Sequence, residues 1–227
     1  MTSLGDVIVV APDKPRSGSG HAITIVTPLR VEKVSGSMEL REYICNGTPV
    51  DCIKLALGRV VHCKPDLIVS GINHGSNSSV NVIYSGTMAA AIEGALEGIP
   101  SIGFSVTDYS CDLDFKLYSN YILSVCTKVL SCGLPEFTCL NVNIPLVKKI
   151  KGIKICRQAN AYWADEYIKC KDPHQKEYYW LTGEFVNRDK GTDTDEWALK
   201  NGYISIVPVS FDFTAHHAMD KIKHLVL

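Results

Sequence analysis

The chain opens with a continuous β-branched run, Asp6-Val-Ile-Val-Val-Ala11, that stops at Pro12. An unbroken apolar stretch of this length predicts a strand buried on both faces of a parallel sheet. Two similar runs follow: Leu67 to Ser70, closed by Gly71, and Ser101 to Val106, entered from Ile99-Pro100. Between them the apolar period lengthens to that of a helix. Thr48-Pro49 sets a capping hydroxyl before a first-turn proline, ahead of Ile53, Leu57 and Val60 or Val61. Thr87 to Glu97 places Met88, Ile92 and Ala95 on one stripe, and Leu113 to Leu130 brings Leu117, Tyr121, Val125 and Leu130 roughly into phase. Cys139 to Asn143 reads as a further strand ahead of Pro145. Strands alternating with helices predict an α/β fold on a doubly wound sheet.

After Pro145 the pattern changes. Polar and aromatic residues fill Arg157 to Gly183, a Gly191-Thr-Asp-Thr-Asp195 loop follows, and then come a strand at Tyr203 to Val207 and a closing helix near Thr214 to His224. The expected division is therefore a sheet domain over residues 1–145 and an extension over 146–227, the latter packing on the sheet or on another subunit.

Composition narrows the function. Of 227 residues, 23 Lys and Arg against 24 Asp and Glu give a net charge of −1, and no block of five like charges could track a phosphate backbone, which argues against nucleic acid as a partner. No apolar run approaches the roughly 20 residues that span a bilayer, and no signal-like start is present, so a cytoplasmic, membrane-free protein is expected. The nine cysteines (45, 52, 63, 111, 126, 132, 139, 156 and 170) contain no C-x-x-C pair and mostly lie in apolar runs, as reduced core thiols do.

In open parallel sheets ligands bind beyond the carboxyl ends of strands, which singles out two loops. The first, Ala11-Pro-Asp-Lys-Pro-Arg-Ser-Gly-Ser-Gly-His21, gathers a carboxylate, two cations and two hydroxyls, and composition alone also allows a plain polar surface loop. The second runs from Ser70-Gly-Ile-Asn-His-Gly75 through Asn81 to Tyr84-Ser-Gly-Thr87, where a helix begins. Unpaired N–H groups, hydroxyls and the positive end of a helix dipole would favour a phosphate at Ser85, Gly86 and Thr87; simple N-capping by Ser85 is the other reading. Dinucleotide, P-loop, zincin and nucleophile-elbow motifs are absent. His216-His217 has no partner at zinc spacing and reads as structural.

The strings Val10-Ala-Pro-Asp-Lys-Pro-Arg-Ser-Gly18, Gly47-Thr-Pro-Val-Asp-Cys52, Pro65-Asp-Leu-Ile-Val-Ser-Gly-Ile-Asn-His-Gly75, Tyr84-Ser-Gly-Thr-Met-Ala-Ala-Ala91 and Gly202-Tyr-Ile-Ser-Ile-Val-Pro208 resemble the stationary-phase survival protein SurE family. The resemblance implies a Rossmann-like domain, an extension exchanged between subunits of a homodimer or homotetramer, and a metal-dependent nucleotidase. Its substrates would be nucleoside 5′-monophosphates, with 3′-monophosphates as a further class. It also implies Ser17 and Asn73 as two ligands of a divalent cation, Mg²⁺ or Mn²⁺, and Ser85, Gly86 and Thr87 as the phosphate cradle. The family's Asn-Asp-Asp-Gly string, whose two aspartates are the charged ligands, has no counterpart here, since the chain contains no Asp-Asp pair. The resemblance thus leads to the expectation of a preceding strand and helix of roughly 25 to 30 residues. The alternative is a non-catalytic nucleotide- or phosphate-binding protein.

Overall fold

The computed structural model describes residues 1–37, 39–110 and 114–225. Strands β1 (Val7–Pro12), β2 (Val31–Gly36) and β3 (Leu40–Cys45) precede helix α1 (Pro49–Leu55), which runs on as a wider π turn over Ala56–Val60. Next come β4 (Ile68–His74), the short α2 (Asn81–Tyr84), α3 (Gly86–Leu96), β5 (Ser101–Val106), α4 (Ser119–Cys132) and β6 (Thr138–Ile144). The later chain supplies β7 (Ile153–Ile155), β8 (Ala161–Ala164), β9 (Tyr167–Lys171), β10 (Glu177–Leu181), β11 (Glu184–Asn187), α5 (Asp195–Lys200), β12 (Ile204–Ser210) and α6 (His216–Met219).

The central sheet has the order β4-β5-β6-β12-β7. Strands β4, β5 and β6 run parallel, β12 pairs antiparallel with β6, and β7 pairs parallel with β12. Strand β5 is buried along its whole length, and its alternation sorts the two faces. Ile102, Phe104 and Val106 pack with Val142, Ile144, Ile204 and Ile206 against Ile122, Val125, Cys126 and Val129 of α4. On the opposite face Gly103 leaves room for the Met88 side chain of α3, where a Cβ would strike its sulfur. Helices on both faces make the doubly wound arrangement. Each fully buried aliphatic or aromatic side chain contributes about 1.5–3 kcal/mol, so this two-sided packing is the main source of stability.

Three expectations need correction. The first apolar run does not enter the five-stranded sheet: β1 pairs parallel with β3, which pairs antiparallel with β2. Bonded on one edge only among the described residues, β1 is half-buried, not covered on both faces. The α4 stripe is Ile122, Val125, Cys126 and Val129, while Leu117 and Leu130 are exposed. A 3-10 turn over Phe115–Tyr118 resets the phase ahead of α4, and the expected start at Leu113 lies outside the described residues. The closing helix is only α6 followed by a 3-10 turn over Asp220–Leu225, both without buried residues.

Beyond Pro145, β7 and β12 complete the sheet, while β8 with β11 and β9 with β10 form two antiparallel pairs. The β9/β10 pair exposes Tyr167, Ile168, Tyr178, Tyr179, Trp180 and Leu181.

Candidate functional site

Strand β4 carries one extra residue relative to β5: Ser70 pairs with Gly103 but Asn73 pairs with Ser105. The bulge sets Asn73 beside Ser105. The Asn73 amide nitrogen donates to the Gly75 carbonyl at 3.0 Å and lies 3.4 Å from both Asn77 Oδ1 and Ser105 Oγ. Among the described residues nothing donates to Asn73 Oδ1, so its carbonyl oxygen is left as a free acceptor.

The loop that follows is held from beneath. Asn143 of β6 accepts from the Asn77 N–H at 2.8 Å, and Asn141 donates to the Asn77 carbonyl at 2.8 Å. A second Asn143–Asn141 bond of 2.8 Å ties the two side chains together. Asp195, at the start of α5 and fully buried, accepts from the N–H groups of Ser79 at 2.8 Å, Ala159 at 2.9 Å and Glu196 at 2.8 Å. Glu196 accepts from the Ser78 hydroxyl. Burial pushes the carboxyls of Asp195 and Glu196 up, with those N–H and hydroxyl donors opposing it. Ser79 sits at φ +53°, a conformation that a non-glycine residue keeps only when its surroundings enforce it.

Four residues beyond Asn81 the chain reaches α3. Ser85 is its N-cap, with Oγ accepting from the Met88 N–H at 3.0 Å. The Gly86 and Thr87 N–H groups have no acceptor among the described residues, as first-turn donors of a helix do not. A Cβ on Gly86 would lie 2.8 Å from Ser19 Oγ and 3.0 Å from the Pro49 ring, so glycine lets the loop after β1 press closely on this helix end. Ser19 Oγ is buried and has no partner among the described residues, and Gly20 donates to the Tyr84 carbonyl at 3.1 Å.

The structure thus joins the Ser85, Gly86 and Thr87 helix start to the loop that bears Ser17, while Asn73 lies near the end of β4 against Gly75, Asn77 and Ser105. Ser17 itself is exposed on that loop. The oxygens of Ser17 and Asn73 suit a hard divalent cation in kind, though both are neutral. Among the described residues no group of three or more His, Cys, Asp or Glu stands ready for a metal. Asp13, close in sequence to Ser17, faces Arg16 at 3.5 Å. His216 bonds Asp212 at 2.8 Å on the exposed tail, away from any cluster. Residue-by-residue reading passed over Ser105, Asn141, Asn143 and Asp195. Asn141 and Asn143 carried a signal, two amides at alternate positions of an otherwise apolar strand.

The start of α3 and the Asn73 carbonyl oxygen both belong to the stretch that leaves the carboxyl end of a parallel strand, the place where α/β sheets bind ligands. The family profile described as survival protein SurE matches residues 1–165, and the chain belongs to that family. It is 58% identical to the 5′-nucleotidase SurE of Flavobacterium psychrophilum, over 99% of this chain and 88% of that one. Against the 5′-nucleotidase SurE of Christiangramia forsetii the identity is 60%, over 98% of this chain and 87% of the relative. The crystal structure of the SurE protein from Aquifex aeolicus superposes with a TM-score of 0.83 at 40% identity, covering 98% of this chain and 90% of that one.

Proposed function

We infer that the chain is a 5′-nucleotidase that hydrolyses nucleoside monophosphates to nucleoside and phosphate. The activity carried in the names of relatives at 58% and 60% identity supports this, and the observation that carries it is the start of α3. There two free N–H groups, of Gly86 and Thr87, meet the dipole of an 11-residue helix whose entrance is packed closely by Ser19 and Pro49 at Gly86. These donors would bind the non-bridging phosphoryl oxygens and gain strength as negative charge grows on them in the transition state. Asn73 would present its carbonyl oxygen to the site, its amide orientation fixed by Gly75 and Ser105.

A divalent cation, Mg²⁺ or Mn²⁺, held by oxygens of Ser17 and Asn73 would supply charge neutralisation and an acidified water when bound. The 3′-monophosphates are further substrates in this reading, and the cytoplasm is its compartment, in keeping with the finding that no described helix is long and apolar enough to cross a membrane. The exposed aromatic β9/β10 pair is offered as the surface joining a homodimer or homotetramer.

The test is phosphate release from a panel of nucleoside monophosphates with Mg²⁺, with Mn²⁺ and with chelator. Metal-stimulated release is expected. Nucleotide binding without release would move the protein to the non-catalytic reading, and neither binding nor release would sink both.

A further inference from the structure

We propose that Glu93 is a positioning residue for nucleotide hydrolysis, a buried carboxylate that clamps the Ser17-bearing loop and α1 against the phosphate-binding end of α3. The inference rests on the reading of Ser85, Gly86 and Thr87 as the phosphate cradle. Glu93 is 3% exposed, deep for a carboxylate. Its two oxygens are divided between two elements: Oε1 accepts from Lys54 Nζ of α1 at 2.5 Å, and Oε2 meets His21 Nε2 of the loop at 2.9 Å.

The same two elements meet at the cradle. Gly86 is flanked by Pro49, the first residue of α1, and by Ser19, two residues before His21. Gly86 and Glu93 are seven residues apart, two turns of α3, and so share one helix face about 10 Å apart. Loop and α1 are therefore each pinned twice along that face, once by close packing at Gly86 and once by charge at Glu93. Removing the charged pin would leave the packing contact as a hinge, and the loop would swing about Ser19, carrying Ser17 with it.

Burial alone would raise the Glu93 carboxyl, but the hydrogen bonds from Lys54 and His21 outweigh it and hold it below the usual range. The charged groups facing this cluster are Lys54 and, behind it, Asp51 on α1, Glu97 one turn along α3, and His21 on the loop.

The experiment measures the dissociation constant of inorganic phosphate by calorimetry, and kcat and KM for a nucleoside 5′-monophosphate, at one fixed pH for the full chain, Glu93→Gln and His21→Gln, with melting temperatures in parallel. Glu93→Gln is expected to bind phosphate about tenfold more weakly. His21→Gln, a change at a partly exposed loop side chain that does not threaten the core, should weaken binding about threefold while melting within a few degrees of the parent. A Glu93→Gln protein that melts lower but keeps the parent's phosphate affinity and KM would reduce Glu93 to a structural ion pair and overturn the proposal, as would equal affinities in all three proteins. A parent that binds no phosphate would instead overturn the cradle reading, and the proposal with it.

Discussion

Two loops flank the site and are built in opposite ways. The loop after β4 is buried from Asn77 to Ser79, and its backbone groups are met by Asn141, Asn143 and Asp195, all nearly or fully buried. The loop after β1 leaves Lys14, Ser17 and Gly18 exposed, with Ile25 and Val26 at 81% and 95% exposure. Its ties are single bonds spread along its length: Asp13 N–H to the Cys45 carbonyl at 2.7 Å, Arg16 to the Asn46 carbonyl at 2.6 Å, Gly20 N–H to the Tyr84 carbonyl at 3.1 Å, His21 to Glu93 at 2.9 Å, Thr24 N–H to Asp51 at 3.1 Å, and the Thr48 hydroxyl to the Ala22 carbonyl at 2.7 Å. One side of the site is preformed and the other is latched in place. On the proposed reading, preorganisation would reside in the Asn73 side and adjustment to ligand in the Ser17 side.

If that contrast is right, the largest effects come from beneath the β4 loop. Asp195→Ala strands the N–H groups of Ser79 and Ala159 in a buried site and should cost about 3 kcal/mol or more of unfolding free energy, read by urea denaturation. Nucleotidase activity should fall with it, because Ser79 can no longer be held at its positive φ. Asn143→Leu, similar in size, leaves the Asn77 N–H and one Asn141 oxygen unpaired, and about 2 kcal/mol is expected. A loss below about 0.5 kcal/mol in both variants would erase the distinction between the loops.

On the latched side the effects should be smaller and dependent on pH. The folded Glu93 carboxyl titrates below its unfolded value, so its contribution is complete above about pH 4.5 and vanishes as pH falls through the lower folded value. Lys54 titrates above its unfolded value through its bond to Glu93, so its share is complete below about pH 10 and is lost only as pH rises through the higher folded value. Stability of the parent minus that of Glu93→Gln should thus be flat between those limits and shrink as pH falls through the lowered folded value. A difference that persists unchanged as the pH is taken to the acid limit of folding would show that shape, not charge, makes the contact. The smallest change belongs to Thr48→Ala, which removes the N-cap of α1 and the tie to Ala22 together, at about 1 kcal/mol by thermal or urea denaturation.

Elements bounded by proline, glycine or a capping hydroxyl were legible in the chain itself. Ser101 to Val106 is β5 residue for residue, and Thr48 and Ser85 cap α1 and α3 as their types suggest. What escaped is long-range. Strands β2 and β3 mix charged and apolar residues because each is largely exposed or half-buried, so neither shows a clean period. The partner of β1 was equally out of reach, since edge pairing depends on which strand lies alongside. In the proposed site, residues 85 to 87 stand in sequence order at a helix start, and the capping of α3 by Ser85 could be read directly. Asp195 acts on Ser79 across 116 positions, and Glu93 acts on His21 across 72. No local pattern encodes those meetings.

The most direct measurement of the central claim, that phosphate sits on the Gly86 and Thr87 N–H groups, is kcat/KM of Gly86→Ala for a nucleoside 5′-monophosphate, with thermal unfolding run in parallel. Alanine favours the helix over glycine, and its methyl group need displace only the Ser19 hydroxyl and crowd the Pro49 ring, so the melting temperature should stay within a few degrees. By pushing the Ser19-bearing loop off the helix end the methyl group should disturb the proposed phosphate seat, and kcat/KM is expected to fall about a hundredfold, a loss of the size seen when an oxyanion-type donor is removed. Retention of the parent kcat/KM by a folded Gly86→Ala protein would place the phosphate elsewhere and contradict the account.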